Sequence, residues 1–252
     1  PFIIISPQLH MFDINKKGIS YIDNRTTESI PKRLKGNVNS KFHESSMVFS
    51  TDYKNDTIIY FTRNNYYNKK EGYGAKDEIN LKIFSAIEKD GVWIVNRNLK
   101  INSDYFSTGH PYVSPDRSRL YYTSDKPGGY GGTDIYYSEI HKRGGIGPSI
   151  NAGPIVNTEG NEMFPFINKE GQLFFASDGH VGFGQLDIFS TISDLEGNLV
   201  DVINLGSPIN SSKDDFAYFA HEDGINGYIS SNRDGGKGSD DIYKFKFTPS
   251  LT

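Results

Sequence analysis

Three segments of this chain share one grammar: TSDKPGGYGGTDIYYS (123–138), FASDGHVGFGQLDIFS (175–190) and ISSNRDGGKGSDDIYKF (229–245). Each runs from a short aromatic strand into an Asp or Asn, then through a Gly-rich turn to a second Asp and another aromatic strand. The two polar residues are always nine apart: Asp125 and Asp134, Asp178 and Asp187, Asn232 and Asp241. A looser copy spans 60–84, with Asn64 in the place of Asp125 and a turn longer by seven residues (NNYYNKKEGYGAKDEIN). Recurrence of this kind restricts a chain to repeat architectures, because one such unit cannot bury its faces except against its neighbours.

Three further registers keep the same period. One is an apolar residue, a few polar ones, then Gly: INKKG (14–18), IEKDG (87–91), IHKRGG (140–145) and ISDLEG (192–197). Another is an aliphatic residue, Asn and a small hydroxyl residue: Val38-Asn39-Ser40, Ile101-Asn102-Ser103, Val156-Asn157-Thr158 and Ile209-Asn210-Ser211. The last follows soon after, as SMVFST (46–51), GHPYVS (109–114), MFPFIN (163–168) and DFAYFA (215–220). Asp125, Asp178 and Asn232 lie 53 and 54 residues apart. Each period therefore holds four short strands separated by turn signals. Segments such as IIYF (58–61) and LFFA (173–176) are apolar on both faces, so both must be covered. Four antiparallel strands per repeat with Gly-rich hairpins predict an all-β chain, a β-propeller of four-stranded blades. INLKIFSAIEK (79–89) carries a helical spacing of Ile79, Ile83 and Ile87, but its place in the repeat makes it a strand.

The whole of 1–252 reads as a single propeller domain, with successive repeats at 43–106, 107–160, 161–212 and 213–247. Residues 1–42 supply a partial first blade or closing strands, and the last copy stops after FKF (245–247) without its outer strand. Pairing across the termini would cover that edge. Residues 17–30 as the closing strand give four blades; residues 1–16 as the start of another give five. Five is the expected count and four the runner-up.

Composition narrows the function classes. Hydrophobic residues are only 36% of the chain, but 17 Phe and 16 Tyr supply large buried areas. The net charge of −4 and the absence of a Lys/Arg run argue against nucleic-acid binding. There is no Cys, hence neither a disulfide frame nor a thiolate metal site. The longest aliphatic run, 2–5, is too short to enter a membrane as a span, and no signal peptide is visible before the abrupt start at Pro1.

HPYVSPDRSRLYYTSDKPGG (110–129) resembles the TolB-like propeller repeat, with its Ser-Pro-Asp turn, aromatic strand and later Asp-Ile-Tyr. NTEGNEMFPFINKEGQLFFASDGHVGFGQLDIF (157–189) and GYISSNRDGGKGSDDIYKF (227–245) are similar to the propeller of Bacteroidetes OmpA-family lipoproteins, a group that includes a PorE-like component of type IX secretion. The similarity covers most of 38–245. It implies a periplasmic, outer-membrane-associated module that binds other envelope proteins and is not an enzyme. Peptidoglycan association would come only through a domain this chain lacks.

The candidate sites fall into three groups. Asp125, Asp134, Asp178, Asp187, Asn232 and Asp241 are expected to clamp turns, since Asp and Asn at such places accept bonds from free backbone N–H groups. No loop has the spaced Asp-x-Asp-x-Asp-Gly calcium pattern. The first residues of the innermost strands, which in a propeller face the channel mouth, include Glu44, Thr108, Glu162 and Asp214. Converging acids there suit a cation, a basic peptide or a sugar, and paired carboxylates are the machinery of glycoside cleavage. The alternative function is thus a carbohydrate-active or glycan- or peptide-binding propeller. The third group is Tyr66, Tyr67 and Tyr73 in the 64–80 insertion, an aromatic loop suited to partner contacts.

Several patterns lead nowhere. GGYGG (128–132) and GGKG (235–238) feed strands rather than a helix, so they are not phosphate loops. The six His show no zinc spacing, and His110 aligns with Met47, Phe164 and Phe216 as a packed ring. No cofactor and no metal is expected.

Overall fold

The computed structural model describes residues 34–40, 43–64, 79–96 and 99–247, together with six two-residue strands elsewhere. The fold is all-β, with no helix among the described residues, and its four largest sheets are the blades of a β-propeller. Blade 1 holds Glu44–Thr51, Thr57–Asn64, Leu81–Lys89 and Val92–Asn96. Blade 2 holds Thr108–Val113, Arg119–Ser124, Asp134–Glu139 and Ile150–Asn151. Blade 3 holds Glu162–Ile167, Leu173–Ser177, Asp187–Ser193 and Leu199–Asn204. In blade 4 the described strands are three: Asp215–Ala220, Asn226–Ser231 and Asp241–Lys246. Neighbours in blades 2, 3 and 4 are consecutive strands joined by hairpins, whereas in blade 1 Thr57–Asn64 and Leu81–Lys89 pair across the insertion that carries Tyr66–Tyr67 and Lys70–Glu71.

Among the described residues the count is therefore four, the runner-up of the sequence reading rather than five. Among the described residues before blade 1, Ile5–Ser6 pairs with Leu9–His10 and Ser20–Tyr21 with Lys32–Arg33. These two-residue ladders do not make a blade. The rest of the proposed closing segment 17–30 lies outside the described residues. Leu81–Lys89 is a strand in full ladder with Thr57–Asn64, so the repeat register overrides its helical spacing.

The first strand of every blade is broken at the same place. Its register slips at Ser45/Met47, Gly109/Tyr112, Met163/Phe166 and Phe216/Phe219. The residue at the slip takes positive φ in each: Ser46 at 29°, His110 at 51°, Phe164 at 53° and Ala217 at 52°. A bulge inserts a residue and bends the strand, and a bulky side chain at positive φ stays there only where packing over-determines it. His110 thus matches Ser46, Phe164 and Ala217, not Met47 and Phe216.

The chain forms two compact units, residues 1–127 with 136–150, and residues 128–135 with 151–252. The first contains two buried clusters. One joins Leu34, Val38, Ile59, Phe61, Phe84 and Trp93; the other joins Val48, Tyr60, Ile83, Leu120, Tyr122 and Tyr136. The second unit is packed by rings: Phe174 stacks on Tyr218 at 4.7 Å, Tyr218 on Phe245 at 5.2 Å, and Phe166 meets Phe219 edge-on at 5.4 Å. Each buried ring or branched aliphatic contributes about 1.5–3 kcal/mol, which is how a chain poor in Leu and Met sustains a core.

Candidate functional site

The hairpin aspartates are engaged by their own loops. Asp134 accepts from the N–H groups of Tyr130 (2.8 Å) and Gly131 (3.2 Å) and from the Asn151 amide (2.7 Å). Asp187 accepts from Phe183 and Gly184, and Asp241 from Lys237 and Gly238, at the same offsets of four and three residues. The other member of each pair fastens the start of its blade's first strand. Asp125 accepts from Ser107 N–H at 2.6 Å, Asp178 from Asn161 N–H at 2.6 Å, and Asn232 from Asp214 N–H at 2.8 Å. Every one of these side-chain oxygens meets amide protons that a turn would otherwise leave bare.

The first-strand acids are engaged in a second network. Glu162 is fully buried and accepts from Thr158 N–H (2.9 Å), Thr158 Oγ1 (2.6 Å) and Ser177 Oγ (2.7 Å). Glu44 accepts from Ser40 N–H, Ser40 Oγ and Arg63 Nε. Asp215 accepts from Ser211 N–H (2.6 Å), Ser211 Oγ (2.8 Å) and Arg233 (2.5 Å). The ladder register pairs Glu44 with Arg63, Thr108 with Ser124, Glu162 with Ser177 and Asp215 with Ser231. The residue equivalent to Glu44, Thr108 and Glu162 is therefore Asp215. Asp214 sits one place earlier, where Oδ2 accepts from Asn232 and Oδ1 from Leu186 N–H. Thr108, also buried, donates to the Ile101 carbonyl. In each blade this position ties the Asn-Ser/Thr turn to the first strand.

The Asn of that turn has its own task. Asn157 accepts from Ile135 N–H (2.8 Å) and donates to Ile135 O (3.0 Å); Asn210 does the same to Ile188, and Asn102 to Ile83. Arg63 and Arg233 meanwhile reach the carbonyls of Val38 and Ile209, and His180 Nε2 bonds the Val156 carbonyl at 2.9 Å. In the insertion, Tyr66–Tyr67 pairs with Lys70–Glu71, and Tyr73 lies outside the described residues.

A cleft in the first unit stands apart from these networks. Its volume is about 760 Å³, and it opens between blade 1 and the loop 141–149. Its apolar wall includes Ile58, Leu99 and Ile146, with the rings of Tyr53 and Tyr60. Polar groups are interleaved: Asp52, Lys100, His141 and Arg143. Tyr53 is 58% exposed. Burial, and secondarily the Asp52 carboxylate, pushes the Tyr60 hydroxyl up to about 12, so it stays protonated and can donate. Asp52 Oδ1 accepts from the N–H groups of Lys54 (2.8 Å) and Asp56 (3.0 Å), which fixes the turn that presents Tyr53. The loop opposite closes on itself through His141 N–H to Gly145 O (2.8 Å) and Gly147 N–H to Glu139 O (2.9 Å). None of these lining residues is among the site candidates of the sequence, although IIYF (58–61) and IHKRGG (140–145) are among its repeat segments. Their signal was present in HKR (141–143) and in the aromatic turn TDYKND (51–56), both of which differ from the sister copies.

No family model and no curated protein sequence matches the chain. Solved structures match its fold. A thermostable family-43 glycoside hydrolase is similar over 100% of this chain and 90% of its own, with TM-score 0.54 and 16% identity. An endo-arabinase from Bacteroides thetaiotaomicron is similar over 100% of this chain and 94% of its own, with TM-score 0.53 and 13% identity. TolB from Acinetobacter baumannii matches 90% of this chain and 45% of its own, with TM-score 0.51 and 14% identity. The fold is thus that of a TolB-like β-propeller. The same fold carries glycoside hydrolases, which overturns the expectation from sequence that the chain is not an enzyme.

Proposed function

We propose that this chain is a glycan-directed β-propeller, of the carbohydrate-active or carbohydrate-binding kind, and that its sugar site is the cleft between blade 1 and the loop 141–149. The cleft itself is the observation that carries the reading. Its volume of about 760 Å³ lies in the range of small-molecule sites, and apolar rings alternate in it with a few polar groups. An exposed ring such as Tyr53 offers the flat apolar face on which a sugar ring stacks, and the protonated Tyr60 hydroxyl offers a hydroxyl partner. Full-length likeness to two glycoside hydrolases agrees with this class. Glu162 and Asp215 are poor candidates for the chemistry, because their own turns and strand neighbours already take both carboxylate oxygens, and Glu44, whose Oε2 is left without a partner among the described residues, is buried beside Arg63. Asp52 is the carboxylate that lines the cleft. By the resemblance in its sequence, such a protein would meet its glycan in a bacterial cell envelope.

The test is a titration of the intact chain with arabino-, xylo- and galacturono-oligosaccharides, alongside an assay for new reducing ends. Binding that Tyr53→Ala weakens about tenfold, the weight of one lost aromatic contact, supports the cleft. Asp52→Asn then separates the two kinds: loss of turnover with binding kept marks catalysis, and loss of binding alone marks recognition. If no oligosaccharide binds at millimolar concentration, the reading is wrong.

A further inference from the structure

The chain is acidic, with a net charge of −4, yet the cleft is not. Two of its lining side chains, Lys100 and Arg143, are cationic, and His141 lies beside them, against the single carboxylate of Asp52. One oxygen of that carboxylate is already turned to the backbone N–H groups of its own turn. The ion pairs among the described residues lie elsewhere, at Glu44–Arg63, Lys82–Asp104, Lys169–Glu170, Lys213–Asp234 and Asp215–Arg233. Lys100 and Arg143 are in none of them. A cation kept at the edge of an apolar cleft without an internal counter-charge is available to a ligand's anion. The loop holding Arg143 is set by three backbone bonds, His141 N–H to Gly145 O, Gly144 N–H to His141 O and Gly147 N–H to Glu139 O, so the guanidinium is carried on a fixed base.

We propose that the glycan taken by this cleft is acidic, an oligosaccharide bearing uronic acid carboxylates, with Arg143 and Lys100 meeting those carboxylates while Tyr53 lies against a ring face. This rests on the glycan reading above and narrows it to a substrate class. Guanidinium groups match carboxylates in a two-bond geometry, and charge-assisted bonds of this kind are about twice as strong as neutral ones. A neutral sugar would leave both cations unanswered. Charge complementarity thus separates uronates from the neutral arabinans and xylans that would fill the same volume.

The experiment is calorimetric titration of the intact chain with trigalacturonate and with its fully methyl-esterified form, which keeps the sugar backbone and removes the charge. Trigalacturonate should bind about tenfold more tightly at low salt, one charge-assisted contact's worth. The difference should shrink as salt screens exposed charges. Arg143→Gln with Lys100→Gln should remove that preference, whereas Lys169→Gln in blade 3 should leave it unchanged. Far-UV circular dichroism checks that the variants are folded. Equal affinity for the two ligands overturns the acidic class and leaves the glycan reading standing. Binding of neither overturns the glycan reading and this inference together. Displacement of trigalacturonate by inorganic phosphate at equal concentration also overturns the inference, since the site would then be a general anion site.

Discussion

Asn157→Ala is the most direct probe of how the repeat holds together. The Asn157 side chain accepts from Ile135 N–H at 2.8 Å, donates to Ile135 O at 3.0 Å and donates to Asn151 Oδ1 at 2.8 Å. Asn157 and Ile135 are both buried, so water does not replace what is lost. The Ile135 carbonyl keeps the N–H of Ala152 as a partner, and Asn151 Oδ1 keeps that of Gly153. Ile135 N–H is the group left bare. An orphaned buried donor costs about 1–3 kcal/mol, and each of the two remaining bonds about 1 kcal/mol. The expected loss is therefore roughly 3–5 kcal/mol, a large part of the about 5–15 kcal/mol that stabilises a typical domain. Urea unfolding followed by circular dichroism measures it, with an unchanged slope as the sign that both variants unfold alike. Asn157→Asp keeps the acceptor but faces a carboxylate toward the Ile135 carbonyl, so it should also destabilise. A loss below about 1 kcal/mol for Asn157→Ala, the size of an ordinary surface change, would refute the claim that this side chain fastens the third strand of blade 2.

Three further perturbations test other parts of the account. Gly131→Ala should destabilise by more than about 1 kcal/mol, because its Cβ would press on the carbonyls of Thr158 and Gly160, both backbone; thermal denaturation reads this, and an unchanged melting temperature would contradict it. Glu162→Gln should lower stability by about 1–3 kcal/mol in urea unfolding, since an amide cannot accept on both arms from Thr158 and Ser177. Burial pushes the His110 imidazole down to about 4 from an ordinary 6.5, so the unfolded chain takes up the proton first as pH falls. Its contribution is complete above pH 6.5 and is lost between there and pH 4, at most about 3 kcal/mol. His110→Asn, which tolerates the positive φ, should flatten that part of a stability–pH curve.

The blade repeat was legible because its constraints are local. Gly, Asp and Asn at fixed offsets specify hairpins through bonds a few residues long, as the Asp134 and Asp187 loops show. Blade number was less legible, since it depends on residues 1–33, where INKKG (14–18) is the one repeat marker present and the Asp-Gly hairpin and Asn turn are missing. The first-strand position was misassigned by one residue in the last repeat, Asp214 for Asp215, because both are aspartates and only the ladder register distinguishes them. A bulge at positive φ does not announce itself either: Ser46, His110, Phe164 and Ala217 have no chemistry in common.

The cleft was invisible for the opposite reason. Repeat comparison weights positions that recur, and recurring polar residues here turn out to be engaged: Asn39, Asn102, Asn157 and Asn210 by backbone groups, Glu162 and Asp215 by the turn that precedes them, and Glu44 by that turn through Oε1. A side chain that satisfies its own blade has little left for a ligand. Free bonding capacity must then sit where blades differ. Tyr53 and Asp52 belong to a turn that elsewhere reads SPDRS (114–118), NKEGQ (168–172) and HEDGI (221–225), and Arg143 belongs to a loop that elsewhere reads DLEG (194–197). In blade 2 that loop has exchanged acidic residues for His141, Lys142 and Arg143. The exchange reverses the sign of one hairpin on a chain of net negative charge, and it does so beside an apolar cleft. Folding the blade does not require it, since blade 3 forms the same hairpin with Asp194 accepting from the N–H groups of Glu196 and Asn198. That contrast is the physical ground for seeking the ligand at the cleft rather than at the recurring acids.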